Sequence, residues 1–201
     1  MTVTTGPGDA RRTVLESGDR MDATEFHRRY VLHPEIKRAE LIDGRVYVQG
    51  RVSSVGHAQP HFQLVGGLGT YSAATPGASG GNNATFRAGP HDEPQPDVML
   101  RWDADHGGRS SIDGDGYVIG VPELIGEISG SSHSYDLHEK KELYRRIGVQ
   151  EYLVWQTEDG RIDWWELVHG EYVPLPVDAD GFIRSRVFAG LALSPAELVG
   201  P

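Results

Sequence analysis

The chain has 201 residues, of which 38% are hydrophobic, and this size and composition are typical of one globular domain. A formal net charge of −10 argues against a protein that coats nucleic acid nonspecifically, because that binding depends on Lys and Arg neutralising phosphates, although it allows a local basic groove. The absence of cysteine excludes a disulfide framework, and the lack of a signal peptide or of a long apolar segment predicts a cytoplasmic protein with no membrane partner.

Turn and cap signals divide the first half of the chain into a tail, two helices and several strands. Asp43-Gly44 is a strong two-residue turn between apolar runs, which is typical of a β-hairpin. Pro60 suits the first turn of a helix, and Asp22 or Thr24 suits the N-cap of another. The predicted elements are a flexible tail (1–20), a helix (21–32), a hairpin (39–50), a second helix (57–74), a turn-rich loop (75–83) and strands at "ATFRA" and "QPDVMLRW".

The second half combines one well-supported helix with a series of short strands. Residues 103–116 are polar, acidic and glycine-rich, which predicts an exposed loop. Residues 134–148 have apolar side chains at helical spacing, and Gly148 is a suitable stop. We expect residues 21–201 to form a single domain. The remaining predicted elements are strands at "YVIGVPELIGEIS", "VQEYLVWQ", "RIDWWELV", "EYVPLPV" and "GFIRSRVF", and a short helix at "SPAELV".

Two of the predicted strands carry a carboxylate among apolar residues. Asp97 lies near the start of one strand and Glu127 near the end of another. A buried carboxylate is costly unless it is paired or bound to a cation. Two strands that each deliver one acid therefore predict a hard-oxygen site for Mg²⁺ or Mn²⁺. Acids that face solvent at strand ends are the commoner explanation of such spacing by itself.

The helix that follows the second acid offers a cation to the same place. Asp136, Lys140 and Tyr144 are four residues apart and therefore share one helical face. A lysine that reaches from this face toward two carboxylates would orient a water molecule or stabilise developing negative charge. A surface ion pair between Asp136 and Lys140 is the structural alternative.

Five short motifs, in order and at compatible spacing, resemble the pattern of a known family. That pattern has an "ELIDG" hairpin, a Pro-Asp strand, a strand with Pro-Asp/Glu-Leu and a later Glu-x-Ser, a helix with Asp-x-x-x-Lys-x-x-x-Tyr, and Gly-Val-x-Glu-Tyr. Over about residues 21–198 the chain resembles the Uma-type family of restriction-endonuclease-like proteins, in the PD-(D/E)XK nuclease superfamily. The matching segments are "ELIDG" (40–44), Pro96-Asp97, "PELIGEIS" (122–129), "DLHEKKELY" (136–144) and "GVQEY" (148–152).

The resemblance implies an α/β, restriction-endonuclease-like fold with a mixed central sheet flanked by helices. It also implies that Asp97 and Glu127 are metal ligands and that Glu40 is a further acid at the edge of the catalytic site. The superfamily usually has Lys two residues after the second acid, where this chain has Ser129. We therefore expect Lys140 to replace it in space, with Lys141, turned about 100° away on the helix, as the competing candidate.

Four other residues are expected to line the site. Gln95 directly precedes the Pro-Asp pair, and His57 matches a histidine that often starts the family's next helix. Ser129 is expected there because it lies two residues after Glu127 on the second strand, and Tyr144 because it shares the helical face of Lys140. The family often has Pro and Asp where this chain has Gly130 and Gln156, neither of which is an expected metal ligand.

The resemblance implies an endonuclease that uses Mg²⁺, or Mn²⁺, to hydrolyse phosphodiester bonds of nucleic acid, with DNA as the expected partner. A homodimer is expected by analogy with nucleases that reach both strands. The alternative is a nuclease fold that works as a catalytically inactive binding or regulatory module, which the acidic balance and the lack of a recognition domain favour. Zinc is disfavoured, because His57 and His61 have helical ligand spacing but no evident third ligand.

Overall fold

The computed structural model describes residues 14–50, 54–130 and 135–199, and its strands form one six-stranded sheet and three small sheets. The helices are α1 (Ala23–Leu32), α2 (Gln59–Ala74), α3 (Lys141–Ile147) and α4 (Pro195–Val199). The strands are β1 (Ala39–Ile42), β2 (Arg45–Val48), β3 (Ala78–Asn82), β4 (Phe86–Arg87), β5 (Val98–Trp102), β6 (Ser110–Ile112), β7 (Val118–Gly120), β8 (Leu124–Ser129), β9 (Glu151–Gln156), β10 (Arg161–Val168), β11 (Glu171–Pro174), β12 (Ile183–Arg184) and β13 (Ala192–Leu193).

The central sheet is mixed. Its strand order is β11-β10-β9-β8-β5-β3, in which β8 and β9 are parallel and every other neighbouring pair is antiparallel. A parallel pair needs a crossover connection, and the segment from β8 to β9 supplies it with α3. The predicted α/β architecture with a mixed central sheet is therefore confirmed.

The two faces of the central sheet pack against different helices because side chains alternate along each strand. Leu124 and Ile128 of β8 join a core cluster with Leu64 and Leu68 of α2. Ile125 of β8 joins a second core cluster, which includes two buried residues of α3 and two of β9: Leu143, Tyr144, Tyr152 and Val154. Residues of odd number on β8 consequently point toward α3, and Glu127 is one of them.

The hairpin β1–β2 is a separate two-stranded sheet beside the central one. Its predicted turn is confirmed, since Asp43 and Gly44 both have positive φ, of 49° and 68°, as a two-residue hairpin turn requires. Leu41 exchanges two backbone hydrogen bonds with Glu93, which ties the hairpin to the chain segment ahead of β5. A third apolar cluster holds it in place: Leu15, Phe26, Ala39, Leu41 and Val46.

Several predicted elements differ from the observed ones in their bounds. The predicted helix 57–74 becomes α-helical at Gln59, after a π-helical turn at Ser54–Ala58, and the helix predicted over 134–148 has a π-helical turn at Tyr135–Lys140 before α3. The prediction of an exposed loop over 103–116 was wrong in part, because β6 pairs with β7 there. Leu15, within the predicted tail, is buried. In the three described segments no helix is long and apolar enough to cross a membrane.

Candidate active site

Two acids meet where β5 and β8 run side by side. Asp97 directly precedes β5, and the antiparallel register pairs Val98 with Gly126, so Asp97 lies opposite Glu127. The Ile128 N–H donates to Asp97 Oδ2 at 2.7 Å, and the Asp97 N–H approaches Glu127 Oε2 at 3.4 Å. Each acid is about 1% exposed. The adjacent pairing of their strands therefore places both carboxylates in one buried site, as the sequence predicts.

The hairpin contributes a third carboxylate to the same place. Glu40 on β1 is fully buried. Because side chains alternate along a strand, it points to the opposite side from Leu41, away from the apolar cluster around the hairpin. Its Oε1 accepts a hydrogen bond from the Gln95 N–H at 2.9 Å, and its Oε2 accepts one from Gln49 Nε2 at 2.6 Å. Both oxygens are thus held by neighbours, so Glu40 is fixed in orientation.

Lys140 joins the acid of the hairpin to that of the central sheet. Its Nζ lies 3.0 Å from Glu127 Oε1 and 3.2 Å from Glu40 Oε1, and its side chain is 1% exposed. Tyr144, one turn further along, donates its hydroxyl to Glu127 Oε1 at 2.8 Å. Burial and the charge of Glu127 raise the pKa of Tyr144 well above 10.0, so it stays a hydrogen-bond donor. The helix therefore supplies one cation and one neutral donor.

The neighbouring lysine is directed elsewhere. Lys141 Nζ lies 3.6 Å from the centroid of the Trp165 ring, in a cation–π contact. Lys140 and not Lys141 therefore contacts the acids. Lys140 is the last residue of the π-helical turn, and the side chain of Asp136, which the sequence places on the same helical face, lies outside the described residues.

Arg38 is a further cation at the acids, and the sequence reasoning missed it. Its Nη1 donates to Asp97 Oδ1 at 2.6 Å, and its Nη2 lies 3.9 Å from Glu127 Oε2 while donating to the Gln95 carbonyl at 2.8 Å. Arg38 stands two residues before Glu40 in extended chain, so both side chains leave on the same side. That i, i+2 spacing is the signal that could have identified it.

Two histidines approach Asp97, His57 from the π-helical turn before α2 and His61 from the first turn of α2. His57 Nε2 lies 3.4 Å from Asp97 Oδ1, and its Nδ1 lies 3.2 Å from the Ile128 carbonyl oxygen. His61 Nε2 donates to the Asp97 carbonyl oxygen at 2.9 Å. The sequence predicted His57 at the site, whereas His61 entered only as a zinc candidate. Both rings face hydrogen-bond acceptors around one acid.

Gln95 and Ser129 differ in how closely they join the acids. Gln95 holds Glu40 through its backbone, and its side chain accepts from Tyr30 at 3.2 Å and donates to the Asn83 carbonyl at 2.7 Å. Ser129 shares the strand face of Glu127 and is buried, but within residues 14–50, 54–130 and 135–199 its hydroxyl has no hydrogen-bond partner. Tyr30, on α1, is a second residue that sequence reasoning missed.

Neighbouring groups shift the pKa values of Asp97, His57 and Arg38 toward their ionised forms. Burial by itself would raise the pKa of Asp97, but the hydrogen bond from His57 and the charges of Arg38, His57 and Lys140 outweigh it and hold the pKa well below 3.8. The hydrogen bond to Asp97 raises the pKa of His57 above 6.5. For Arg38, burial opposes the charge but Asp97 and Glu127 more than offset it, so its pKa is raised. The arrangement is thus a buried set of opposite charges.

Comparison with known proteins identifies the family. The model of the Uma2 family, described as "Putative restriction endonuclease", matches residues 23–196. The chain belongs to this family. A crystal structure from Anabaena variabilis ATCC 29413, described as a "putative nuclease belonging to DUF820", is similar in fold, with a TM-score of 0.63 and 17% identity over 80% of this chain and 89% of that one. No curated protein matches the chain. The family predicted from the five motifs is therefore confirmed.

The acid cluster of this Uma2-family protein fits a small, hard divalent cation. Mg²⁺ is usually held by one or two carboxylates and keeps several waters, and Mn²⁺ takes similar oxygen ligands. Asp97 and Glu127 supply such a pair, with Asp97 Oδ1 and Glu127 Oε2 both facing the Arg38 guanidinium. Among residues 14–50, 54–130 and 135–199 no group of three or more His, Cys, Asp or Glu is arranged to hold a metal. A site closed by protein ligands alone therefore does not fit.

Proposed function

We propose that this protein is an endonuclease that uses Mg²⁺ or Mn²⁺ to hydrolyse phosphodiester bonds of nucleic acid. The observation that carries the proposal is the convergence of Asp97 and Glu127 from neighbouring strands, with Lys140 Nζ at 3.0 Å from Glu127. Two carboxylates and one amine are the groups that metal-assisted phosphodiester hydrolysis needs at one place. DNA as the substrate and a homodimer as the working form are carried over by analogy with restriction endonucleases.

In this mechanism Asp97 and Glu127 would hold the metal. When bound, Mg²⁺ would supply positive charge for the phosphate and make a nearby water more acidic. Lys140 lies 3.0 Å from Glu127 Oε1 and offers N–H donors to the phosphate oxygens or to the attacking water. Glu40 and Tyr144 fix the two partners of this ion pair, because Glu40 contacts Lys140 and Tyr144 donates to Glu127. We assign Glu40 to this anchoring, since both of its oxygens are already bonded.

The test compares acids of the site with a buried acid outside it. Purified protein is incubated with plasmid or single-stranded DNA and Mg²⁺ or Mn²⁺, and nicking is followed on gels. Asp97→Asn and Glu127→Gln are expected to lower the rate about a thousandfold, because each removes a metal ligand. Glu123→Gln is the matched control, because Glu123 is equally buried but bonds backbone amides. Equal nicking by all four proteins would reveal a contaminant and sink the proposal.

The second candidate is a nuclease-fold module that binds or regulates without catalysis. The observation that favours it is that internal cations, Arg38 and Lys140, already contact the acids. The net charge of −10 also disfavours tight binding to nucleic acid. This module would be supported if no substrate is cleaved and if, without Mg²⁺, Asp97→Asn binds nucleic acid as tightly as wild type does.

A further inference from the structure

We propose that Arg38 is an exchangeable internal cation, whose guanidinium stands between Asp97 and Glu127 until a divalent ion displaces it. The inference rests on the proposed metal site and assigns to Arg38 a positioning role that neither the family pattern nor the sequence motifs give it. Its consequence is that metal affinity is set by a competition within the protein, so that the metal must move Arg38 aside before the site becomes competent.

The first argument is the division of the carboxylate oxygens. One oxygen of each acid is held by the fold: Asp97 Oδ2 by the Ile128 N–H at 2.7 Å, and Glu127 Oε1 by Lys140 and Tyr144 at 3.0 and 2.8 Å. The other two oxygens, Asp97 Oδ1 and Glu127 Oε2, lie 2.6 and 3.9 Å from Arg38 nitrogens. Each also has a longer contact of 3.4 Å, from His57 Nε2 and from the Asp97 N–H respectively. A cation that used this pair of oxygens would meet the guanidinium.

The second argument is that Arg38 is held less completely than Lys140. The Arg38 Nε is buried and has no hydrogen-bond partner among the residues that the structure describes, which is a costly state for a charged donor. Its side chain is 15% exposed, whereas that of Lys140 is 1% exposed. Arg38 therefore has both a reason to adopt another position and a route toward solvent, and Lys140 has no comparable route.

The third argument is electrostatic. A divalent ion on the two acids would lie within a few ångströms of the Arg38 charge, and like charges at that distance repel strongly in a partly buried site. The charge of Lys140 is balanced by a second carboxylate, because Glu40 Oε1 also lies 3.2 Å from its Nζ. Displacement of Arg38 removes the larger part of the conflict and leaves Lys140 where the proposed mechanism uses it.

The test measures binding of the metal alone, by calorimetric titration of the full chain with Mn²⁺. Arg38→Met keeps the length of the side chain and removes its charge, and we expect it to tighten Mn²⁺ binding at least about tenfold. Arg146→Met is the matched control, because Arg146 pairs with the buried Asp92 away from these acids. This control is expected to bind Mn²⁺ with unchanged affinity.

The outcomes separate this inference from the proposed function. If wild type binds Mn²⁺, Asp97→Asn does not, and Arg38→Met binds no more tightly than wild type, the metal site stands and the competition is refuted. If none of these proteins binds Mn²⁺, the metal site itself fails, and the inference fails with it. Tighter binding by Arg38→Met, abolished in the double variant with Asp97→Asn, supports both.

A second measurement covers the case in which Arg38→Met does not fold. In wild-type protein labelled with ¹⁵N, the Nε–Hε resonance of Arg38 is identified by its loss in Arg38→Lys. Saturating Mg²⁺ is expected to shift this resonance, because the guanidinium leaves its two carboxylates. A resonance that stays in place while Mg²⁺ binds would overturn the exchange.

Discussion

The two ends of β8 each have a buried acid, and the two acids have different partners. Glu123, directly before the strand, accepts backbone N–H bonds from Trp102 at 2.9 Å and Arg109 at 3.0 Å. Glu127, toward the other end, is contacted mainly by the side chains of Lys140, Tyr144 and Arg38, and the backbone donor that approaches it, the Asp97 N–H, lies at a longer 3.4 Å. Backbone amides cannot leave without unfolding a loop, whereas side chains can turn away. The comparison therefore separates an acid that fastens a loop from one that can exchange a cation.

The start of β9 repeats the first pattern. Glu151 is fully buried, and its Oε1 accepts the N–H groups of Arg186 at 2.6 Å and Val187 at 3.1 Å. Its Oε2 accepts the Ser185 hydroxyl at 2.8 Å. Because β8 and β9 are parallel, Glu123 and Glu151 lie at the same end of the sheet. Loop-fastening acids thus occupy one end of this strand pair, and the candidate site lies toward the other.

The largest effect on stability is expected from Lys140→Met, which leaves Glu127 and Glu40 without their shared cation. Removing one partner of a buried ion pair costs about 3–5 kcal/mol of folding free energy. Nicking activity should also fall about a hundredfold, as for loss of a catalytic donor. Urea unfolding and gel assays measure the two effects. Lys141→Met is the control, and an equal loss in both variants would contradict the assignment of Lys140.

Glu151→Gln should give the next largest effect, in stability alone. The Gln amide oxygen can still accept the N–H groups of Arg186 and Val187, but its NH₂ group replaces the oxygen that accepts the Ser185 hydroxyl. The lost hydrogen bond and the loss of charge on the others are expected to cost about 1–3 kcal/mol. Activity measured well below the unfolding transition should stay within about twofold of wild type, since this acid fastens residues 185–187. A large activity loss in the folded variant would erase the distinction between the two ends.

Tyr144→Phe tests the neutral donor of the site. It removes one hydrogen bond to Glu127 Oε1 without adding charge, so unfolding free energy should fall by about 1 kcal/mol. The orientation of the proposed metal ligand Glu127 should be affected more, with a decrease of about tenfold in Mn²⁺ affinity. Tyr172→Phe, which loses a bond to the Val149 carbonyl away from the acids, should leave that affinity unchanged. Equal affinities for all three proteins would show that Tyr144 does not position Glu127.

The smallest expected effect is on the pH dependence of folding stability. The contributions of Asp97, at the candidate site, and of Glu151, a loop-fastening acid, should change with pH in opposite directions. The pKa of Asp97 is held below 3.8, so its contribution to stability is complete above pH 3.8 and is lost as the pH falls below it. Burial raises the pKa of Glu151 above 4.5 despite its hydrogen bonds, so its contribution is complete below pH 4.5 and is lost as the pH rises.

Urea unfolding between pH 3 and 7 measures this difference. The stability of wild type relative to Asp97→Asn should rise with pH at the acid end of the range. Its stability relative to Glu151→Gln should fall with pH above about 4.5. Two curves of the same sign would show that partner type does not set the electrostatic behaviour of these acids.

Local rules account for the parts of the fold and site that sequence could predict. The Asp43-Gly44 turn follows from residue preference, and the alternation on β8 puts Glu127 on the face toward α3. Lys140 was predicted from its helical spacing to Asp136 and Tyr144. Lys140 and Tyr144 both contact Glu127, as that spacing predicts, although Lys140 ends a π-helical turn. Each of these inferences needs only neighbours in sequence.

What could not be predicted depends on contacts between distant segments. The spacing of Arg38 to Glu40 indicates that the two side chains share a side, but the 2.6 Å contact of Arg38 with Asp97, 59 residues later, exists only once the hairpin has docked. Likewise, the polar composition of Ser110–Ile112 indicated a loop. The segment forms β6 only because it pairs with β7. The acids Glu123, Glu127 and Glu151 look alike in sequence, since all three interrupt apolar strands. Only their partners distinguish them.

Half of the charged groups around the acids arrive on a hairpin that is not part of the central sheet. Glu40 lies on β1, and Arg38 directly precedes that strand. The hairpin is attached to the rest of the domain by an apolar cluster and by the backbone hydrogen bonds between Leu41 and Glu93. If this hairpin opens as one cooperative unit, Glu40 and Arg38 depart together while Asp97 and Glu127 stay on the sheet. Amide hydrogen exchange at Leu41 would then report the fraction of molecules that lack an assembled site at any moment. Substitutions at the hairpin's apolar contacts would tune activity from a distance.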